Sequence, residues 1–363
     1  MRKARWLASG GNPETKPAIY HSFSRVVDRK FVFLTEERET FRMMMRMYEK
    51  FSGCRVLSYC VMSNHFHILL EVPPMPEEGL TDEELLKRLS ALYSEAFVKG
   101  IEDELVAAAG EVDAEDGDQN LAAVDEIHRR FTGRMHNLSE FMKGLLIRFT
   151  RWFNRMHSRR GTLWEERFKS VIVESGAAAR TMAAYIDLNP VRAGMAKDPV
   201  DYRWSSYGEA IGGGEKGNGK RAREGITRAV MSDRRVELDA GNWSEASRIY
   251  RRLLGMAIER KPQRAEVTKG SKGGVTKNTA ELLESEDNET VLKDLGVAKM
   301  LQCRIRYFTD GAVIGSKEFV NEAFASARER FSGKRKDGAR RLQGNAAAAD
   351  GLWSARDLRV GIR

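Results

Sequence analysis

Two apolar runs, Val56 to Met62 and Phe66 to Val72, meet across the dipeptide Ser63-Asn64. So short a connection joins neighbouring strands as an antiparallel hairpin, which commits this stretch to a sheet. Upstream, Ile19 to Val27 partly alternates polar and apolar side chains and reads as a first strand. Thr35 can cap a helix with Glu36 and Glu37 in its first turn and Phe41, Met44, Met45, Tyr48 and Phe51 on one face, and Gly53 ends it. Downstream, Leu138, Phe141, Met142, Leu145, Phe149, Trp152 and Met156 recur at helical spacing. Phe168 to Val173 is a further strand. Ala177 to Leu188 is a helix expected to stop at Asn189-Pro190, because a residue before proline is pushed out of the helical region. This order predicts an α+β domain, an antiparallel sheet flanked by helices.

Charge is distributed unevenly along the 363 residues. The net charge of +9 comes from 61 Lys+Arg against 52 Asp+Glu. Residues 75–127 hold 16 of the acidic side chains and only 3 basic ones, so the remainder carries an excess of +22. An acidic insertion thus masks a strongly basic body, whose sign suits either a polyanion such as nucleic acid or simply a solvated surface. The insertion reads as a helix or two around Glu83 to Leu105, then a loose stretch through Asn120, without a core of its own.

Several classes are excluded. No run of about 18 apolar residues is present, so a membrane span is not expected. The basic start, Met1 to Trp6, lacks the apolar segment of a secretory signal. Cys54, Cys60 and Cys303 form no CxxC pair, which argues against a disulfide framework or zinc finger and suits a reducing cytoplasm. No GxxxxGK[ST] loop occurs, so ATP is not the expected energy source.

After Tyr207 the composition shifts. Gly212 to Gly214, Gly217, Gly219 and neighbouring lysines and arginines predict a flexible basic linker over 211–241. The expected organisation is therefore a catalytic domain over 1–210 with the insertion at about 75–127, the linker, and a mostly helical C-terminal region over 242–363. That region is expected to hold a Gly/Lys/Ser linker at Lys269 to Lys277, then a small module from Val291: a helix, a strand near Arg304 to Phe308 and a helix from Lys317. It is a candidate accessory DNA-binding module, and its basic residues Lys334 to Lys336 and Arg340-Arg341 are candidate backbone contacts or plain solvated charge.

The chemistry-bearing residues begin with His65-Phe66-His67. Strand alternation turns both histidines to one face and Phe66 to the other. Two imidazoles so placed either hold one divalent metal or are polar residues at the start of a strand. Tyr185 and Asn189, four apart on a helix, share a face. The tyrosine is a nucleophile or a core residue, and the asparagine a metal or orienting group or a helix cap.

Four blocks taken together resemble the HUH single-tyrosine transposases, in the REP-associated tyrosine transposase branch. They are Val61-Met62-Ser63-Asn64-His65-Phe66-His67-Ile68-Leu69-Leu70-Glu71-Val72, the stretch Gly161 to Ser170, Tyr185-Ile186-Asp187-Leu188-Asn189-Pro190-Val191-Arg192-Ala193-Gly194, and Trp204-Ser205-Ser206-Tyr207. The resemblance covers roughly Pro17 to Tyr207 apart from the acidic insertion. It implies a ferredoxin-like core, His65 and His67 as metal ligands with Asn189 as a third, Tyr185 as nucleophile, and Mg²⁺ or Mn²⁺ as cofactor. It further implies cleavage and rejoining of single-stranded hairpin or palindromic DNA through a 5′-phosphotyrosine, in a cytoplasmic, nucleoid-associated protein. A homodimer, with Tyr185 serving its own or a partner's site, stays open.

Arg148, Arg151 and Arg155 beside Trp152 and Phe153 are candidates to grip phosphates or stack on bases, and the aromatics are equally at home in the core. Arg167 and Lys169 lie in a family block, which favours DNA contact, and Arg192 follows the helix end where it can meet a phosphate. Two other functions remain in play: a domesticated, noncatalytic DNA-binding protein at palindromic repeats, and a metal-dependent phosphoesterase with no covalent intermediate.

Overall fold

The computed structural model describes residues 6–8, 16–110, 117–214, 216–232, 240–259, 301, 308–309, 312–331, 333–342 and 351–355. The hairpin forms as the sequence requires: β2 (Arg55–Val61) and β3 (His65–Val72) pair antiparallel, with Val61 opposite Phe66. β1 (Ala18–Arg25) lies antiparallel to β3, and β4 (Lys169–Val173) antiparallel to β1. With α1 (Thr35–Ser52) between β1 and β2, and α5 (Leu138–Met156) between β3 and β4, the order β2-β3-β1-β4 is that of a ferredoxin-like core. The expected α+β class and flanked antiparallel sheet are found.

Local chemistry sets the boundaries of α1. The Glu37 carboxylate accepts the Leu34 N–H at 2.8 Å, so Leu34 rather than Thr35 is the capping position. At the other end Gly53, at φ 72°, takes the left-handed turn that releases the chain toward β2.

The sheet separates two cores. On one face α1 and α5 enclose an aromatic cluster of Phe33, Phe41, Phe66, Phe149 and Trp164, with Phe41 and Phe66 centroids 4.8 Å apart. The acidic insertion packs onto this side as three helices: α2 (Asp82–Leu89), α3 (Glu95–Ala109) and α4 (Gly117–Thr132). Leu85, Leu89, Ile101, Leu105, Ile127 and Phe131 join the same core, so apolar stripes under an acidic surface dock it. The stretch expected to be loose is helical through Ala109 and again from Gly117; residues 111–116 lie outside the described residues.

The other face carries α6 (Ala177–Asp187), the single turn α7 (Asn189–Arg192), α8 (Ser206–Gly212), α9 (Gly217–Met231) and α10 (Trp243–Glu259). Two expectations are corrected here. The helix does not end at Asn189-Pro190: Leu188 keeps right-handed helical angles, and Pro190 occupies the first turn of α7, where a missing N–H costs little. The flexible linker over 211–241 is replaced across 217–231 by α9, with Ala222, Gly225, Ile226, Ala229 and Val230 buried. Its glycines serve contact, not flexibility: a Cβ on Gly225 would meet the Val56 carbonyl oxygen at 2.3 Å. Arg42 and Arg46 of α1 reach the buried carboxylate of Glu209 on α8, tying the two faces together at the sheet edge.

The C-terminal residues do not stand apart as a module. β5 (Val313–Gly315) pairs parallel to β4, followed across the sheet by β7 (Trp353–Ala355) and β6 (Arg340–Arg341), completing the order β2-β3-β1-β4-β5-β7-β6. The expected helix from Lys317 is α11 (Lys317–Ser326). The strand expected near Arg304 to Phe308 is mostly outside the described residues, and Phe308 itself is helical. The second linker, Lys269 to Lys277, and the helix from Val291 also lie outside them. Arg335 is not a free backbone contact: it donates to the Asp337 and Gly338 carbonyls and lies 4.8 Å from the Phe331 ring. Among the described residues no helix is long and apolar enough to cross a membrane.

Candidate active site on the histidine face of the sheet

Alternation along β3 sends Phe66 into the aromatic core and puts His65 and His67 on the opposite face, their ring centroids 5.1 Å apart. Cross-strand register then builds the surroundings. His67 lies opposite Cys60 on β2 and Phe23 on β1, Phe23 lies opposite Lys169 on β4, and Arg25 lies opposite His65. His21, one alternation step from Phe23, stacks on His67 with centroids 5.1 Å apart.

α6 brings Tyr185 to this face. Ala178, Ala179, Ala183 and Ala184 are all buried, and such small side chains let the helix lie close to the strands. The Tyr185 ring sits 5.8 Å from His67 and 6.0 Å from His21, edge-on to both. Asp187, two residues on, anchors the helix: its buried carboxylate accepts from the Tyr250 hydroxyl at 2.6 Å and from the Tyr207 N–H at 3.0 Å. Burial pushes this carboxyl up to about 6, with those hydrogen bonds pulling the other way.

The histidines are electrostatically uniform. Burial pushes His21 and His65 down to about 4, with the Arg25 charge adding to the effect on His65. His67 is held well below the usual histidine range by burial and then by neighbouring His21, His65, Arg25 and Arg192. All three rings are therefore neutral at pH 7, the form in which an imidazole offers a lone pair. Two neutral imidazoles fit Mn²⁺, whereas Mg²⁺ prefers oxygen ligands throughout. The described residues contain no group of three or more His, Cys, Asp and Glu arranged to hold a metal. A bound ion here would draw its remaining ligands from water or a phosphate.

Asn189 is buried at the start of α7, and its side-chain nitrogen donates to the Ile186 carbonyl at 3.2 Å, back along its own helix. Arg192 is spent on protein groups. It donates to the Tyr185 carbonyl at 3.0 Å and the Leu301 carbonyl at 2.9 Å, with its guanidinium 4.9 Å from the Tyr185 ring centroid. Burial pushes its pKa down to about 10, opposed by the nearby Tyr185.

The other cations divide. Lys169 shares the cross-strand row of His67 and is exposed, 2.6 Å from Glu166; Arg167 is exposed just before it. Arg148, Arg151 and Arg155 ride on α5, across the sheet from Tyr185. Arg148 turns to the Leu92 carbonyl at 3.3 Å, while Arg151 and Arg155 are exposed. A cleft of about 590 Å³ at the far end of β2 is lined by Lys50, Arg55, Lys220, Arg221 and Arg228 together with Glu49 and Glu224.

Three site residues escaped the sequence reading. His21 and Arg25 sit on a strand whose alternation was visible but whose partner strand was not. Phe308 is 123 positions from Tyr185, yet its ring stacks on the tyrosine at 4.6 Å and 23°, leaving Tyr185 1% exposed.

A family model described as "Transposase IS200 like" matches residues 15–81, the stretch from β1 through β3 to the edge of the insertion. A solved structure of a REP-associated tyrosine transposase bound to a REP hairpin is similar over 60% of this chain and 90% of that one, at 12% identity and a TM-score of 0.31. No curated protein sequence matches the chain. Residues 15–81, which carry the paired histidines, are thus a segment of the IS200-like transposase family.

Proposed function

We propose that the protein is a transposase-like nuclease and strand transferase acting on single-stranded hairpin DNA. The observation that carries this reading is the convergence of His65, His67 and Tyr185, from segments more than a hundred residues apart, on one face of the sheet. In the reaction the Tyr185 oxygen attacks a backbone phosphorus and gives up its proton. The phosphorus–O3′ bond breaks, and the departing oxygen takes a proton to become a 3′-hydroxyl. The 5′-phosphate stays on the tyrosine, and the 3′-hydroxyl of another strand can displace it, so rejoining needs no nucleotide cofactor. Mn²⁺ or Mg²⁺ held by His65 and His67 would offset charge on the phosphate, with Asn189 as a further candidate ligand once its amide turns from Ile186. Lys169 and Arg167 border the histidine row and are the favoured phosphate contacts, ahead of the α5 arginines. Arg192 reaches DNA only by giving up its two carbonyls.

The seal of Phe308 over Tyr185 favours a second reading, a noncatalytic DNA-binding protein. Labelled hairpin DNA with Mn²⁺ or Mg²⁺ separates the two. The first predicts a denaturation-resistant protein–DNA adduct that Tyr185→Phe abolishes; binding without cleavage in either metal supports the second. Cleavage surviving Tyr185→Phe would instead indicate a phosphoesterase without a covalent step.

A further inference from the structure

The proton positions on the paired histidines follow from what surrounds them, working inward from two backbone carbonyls. A carbonyl oxygen only accepts. The Arg29 carbonyl lies 2.8 Å from the Asn64 side-chain nitrogen, which fixes the orientation of that amide and turns Oδ1 toward His65. Oδ1 lies 2.7 Å from His65 Nδ1, so that nitrogen carries the hydrogen and Nε2 carries the lone pair.

The second chain is longer. The Phe308 carbonyl lies 3.0 Å from His21 Nδ1, so His21 is protonated there. In a neutral ring His21 Nε2 is then an acceptor, and it lies 2.9 Å from His67 Nδ1. His67 must donate from Nδ1, which again leaves Nε2 bare. Both ends of the relay are buried, with His21 at 0% and His67 at 4% exposure, so water does not compete for these nitrogens.

We infer that His21 and Asn64 are positioning residues that lock His67 and His65 in the same Nδ1–H tautomer, presenting two Nε2 lone pairs from one face of β3. His21 passes to the histidine pair a constraint that originates in the backbone at Phe308, which gives the C-terminal residues a role in the site beyond extending the sheet. The use of those lone pairs by a metal rests on the function proposed above; the tautomers do not. Outer-shell hydrogen bonds of this kind typically change metal affinity 10–100-fold when removed.

The test is a long-range ¹H–¹⁵N correlation spectrum of the metal-free, full-length protein labelled at histidine, with a Mn²⁺ titration alongside. The wild type is expected to show His65 and His67 as Nδ1–H rings. Asn64→Ala should release His65 alone toward the Nε2–H form. His21→Phe keeps a ring in place and should release His67 alone, weakening Mn²⁺ binding about 10–100-fold. His21→Gln, whose amide oxygen accepts, should restore both the tautomer and the affinity. A wild-type His67 in the Nε2–H form overturns the relay without recourse to any variant, and so does a His67 tautomer unmoved by His21→Phe. Nδ1–H rings in a wild type that binds no Mn²⁺ uphold the relay and sink the metal reading instead.

Discussion

The two faces of the sheet are built from different materials. On the α1–α5 side, large rings fill the space: Phe33, Phe41, Phe66, Phe149 and Trp164 pack edge-to-face, and the one polar ring atom, Trp164 Nε1, donates to Thr150 at 3.0 Å. On the α6–α9 side, alanines and glycines bring helices close to the strands, and the volume saved is occupied by His21, His67 and Tyr185. β3 serves both, handing Phe66 to one face and His65 and His67 to the other. One face holds the fold together; the other holds ionisable groups together at some cost in desolvation, which their depressed pKa values record.

The sharpest way to break this contrast is to remove bulk from the aromatic face. Phe66→Ala should cost about 3–5 kcal/mol in chemical denaturation. Glu209→Ala, which strands Arg42 and Arg46 across the join between the faces, should cost a similar amount, roughly 3–5 kcal/mol, because it leaves a buried charge unpaired. On the histidine face the sensitivity is reversed, with too much volume as the fault. Gly225→Leu drives a side chain against the Val56 carbonyl and should destabilise by about 1–3 kcal/mol, measured in the same way.

Acid should discriminate between the faces. The folded pKa of His21 is depressed, so the stability it contributes is present above the unfolded value near 6.5 and is lost as pH falls toward about 4. Asp187 acts with the opposite sign: its raised pKa gives a contribution present below 3.8 and lost as pH rises through about 6, which partly offsets the histidine slope. Denaturation midpoints of wild type and His21→Phe should therefore converge as pH falls from 6.5 to 4; parallel curves would show that His21 does not titrate on unfolding. Smallest of all is the expected stability change in Tyr185→Phe, at most about 1.5 kcal/mol by thermal or chemical melt, the scale of one hydrogen bond.

Much of the first face was legible. The apolar stripe of α5 marks its bounds, Leu138 to Met156, and the β2–β3 hairpin follows from run length and turn chemistry, because these are local periodicities that each element must satisfy to be buried at all. Gly219 and Gly225 misled because a glycine allowed by a loop and one required by close packing look the same in one dimension. Asn189-Pro190 misled because proline is excluded from the interior of a helix but welcome in its first turn, and a one-residue break at Leu188 was enough to start a new one.

By itself the sequence determined the alternation that puts His65 and His67 on one side of a strand and Phe66 on the other, and the helical spacing that groups Tyr185 with Asn189. Those are properties of a single element, set by backbone geometry. Only the tertiary structure decided that His21 is bonded to His67 from 46 residues away, that Arg25 faces His65, that Arg192 is committed to two carbonyls, and that Phe308 covers Tyr185. Those depend on which strands pair, in what register, and on the segment carrying Leu301 and Phe308 returning to close over the site. Each is settled by burial of the whole core, not by the residues alongside.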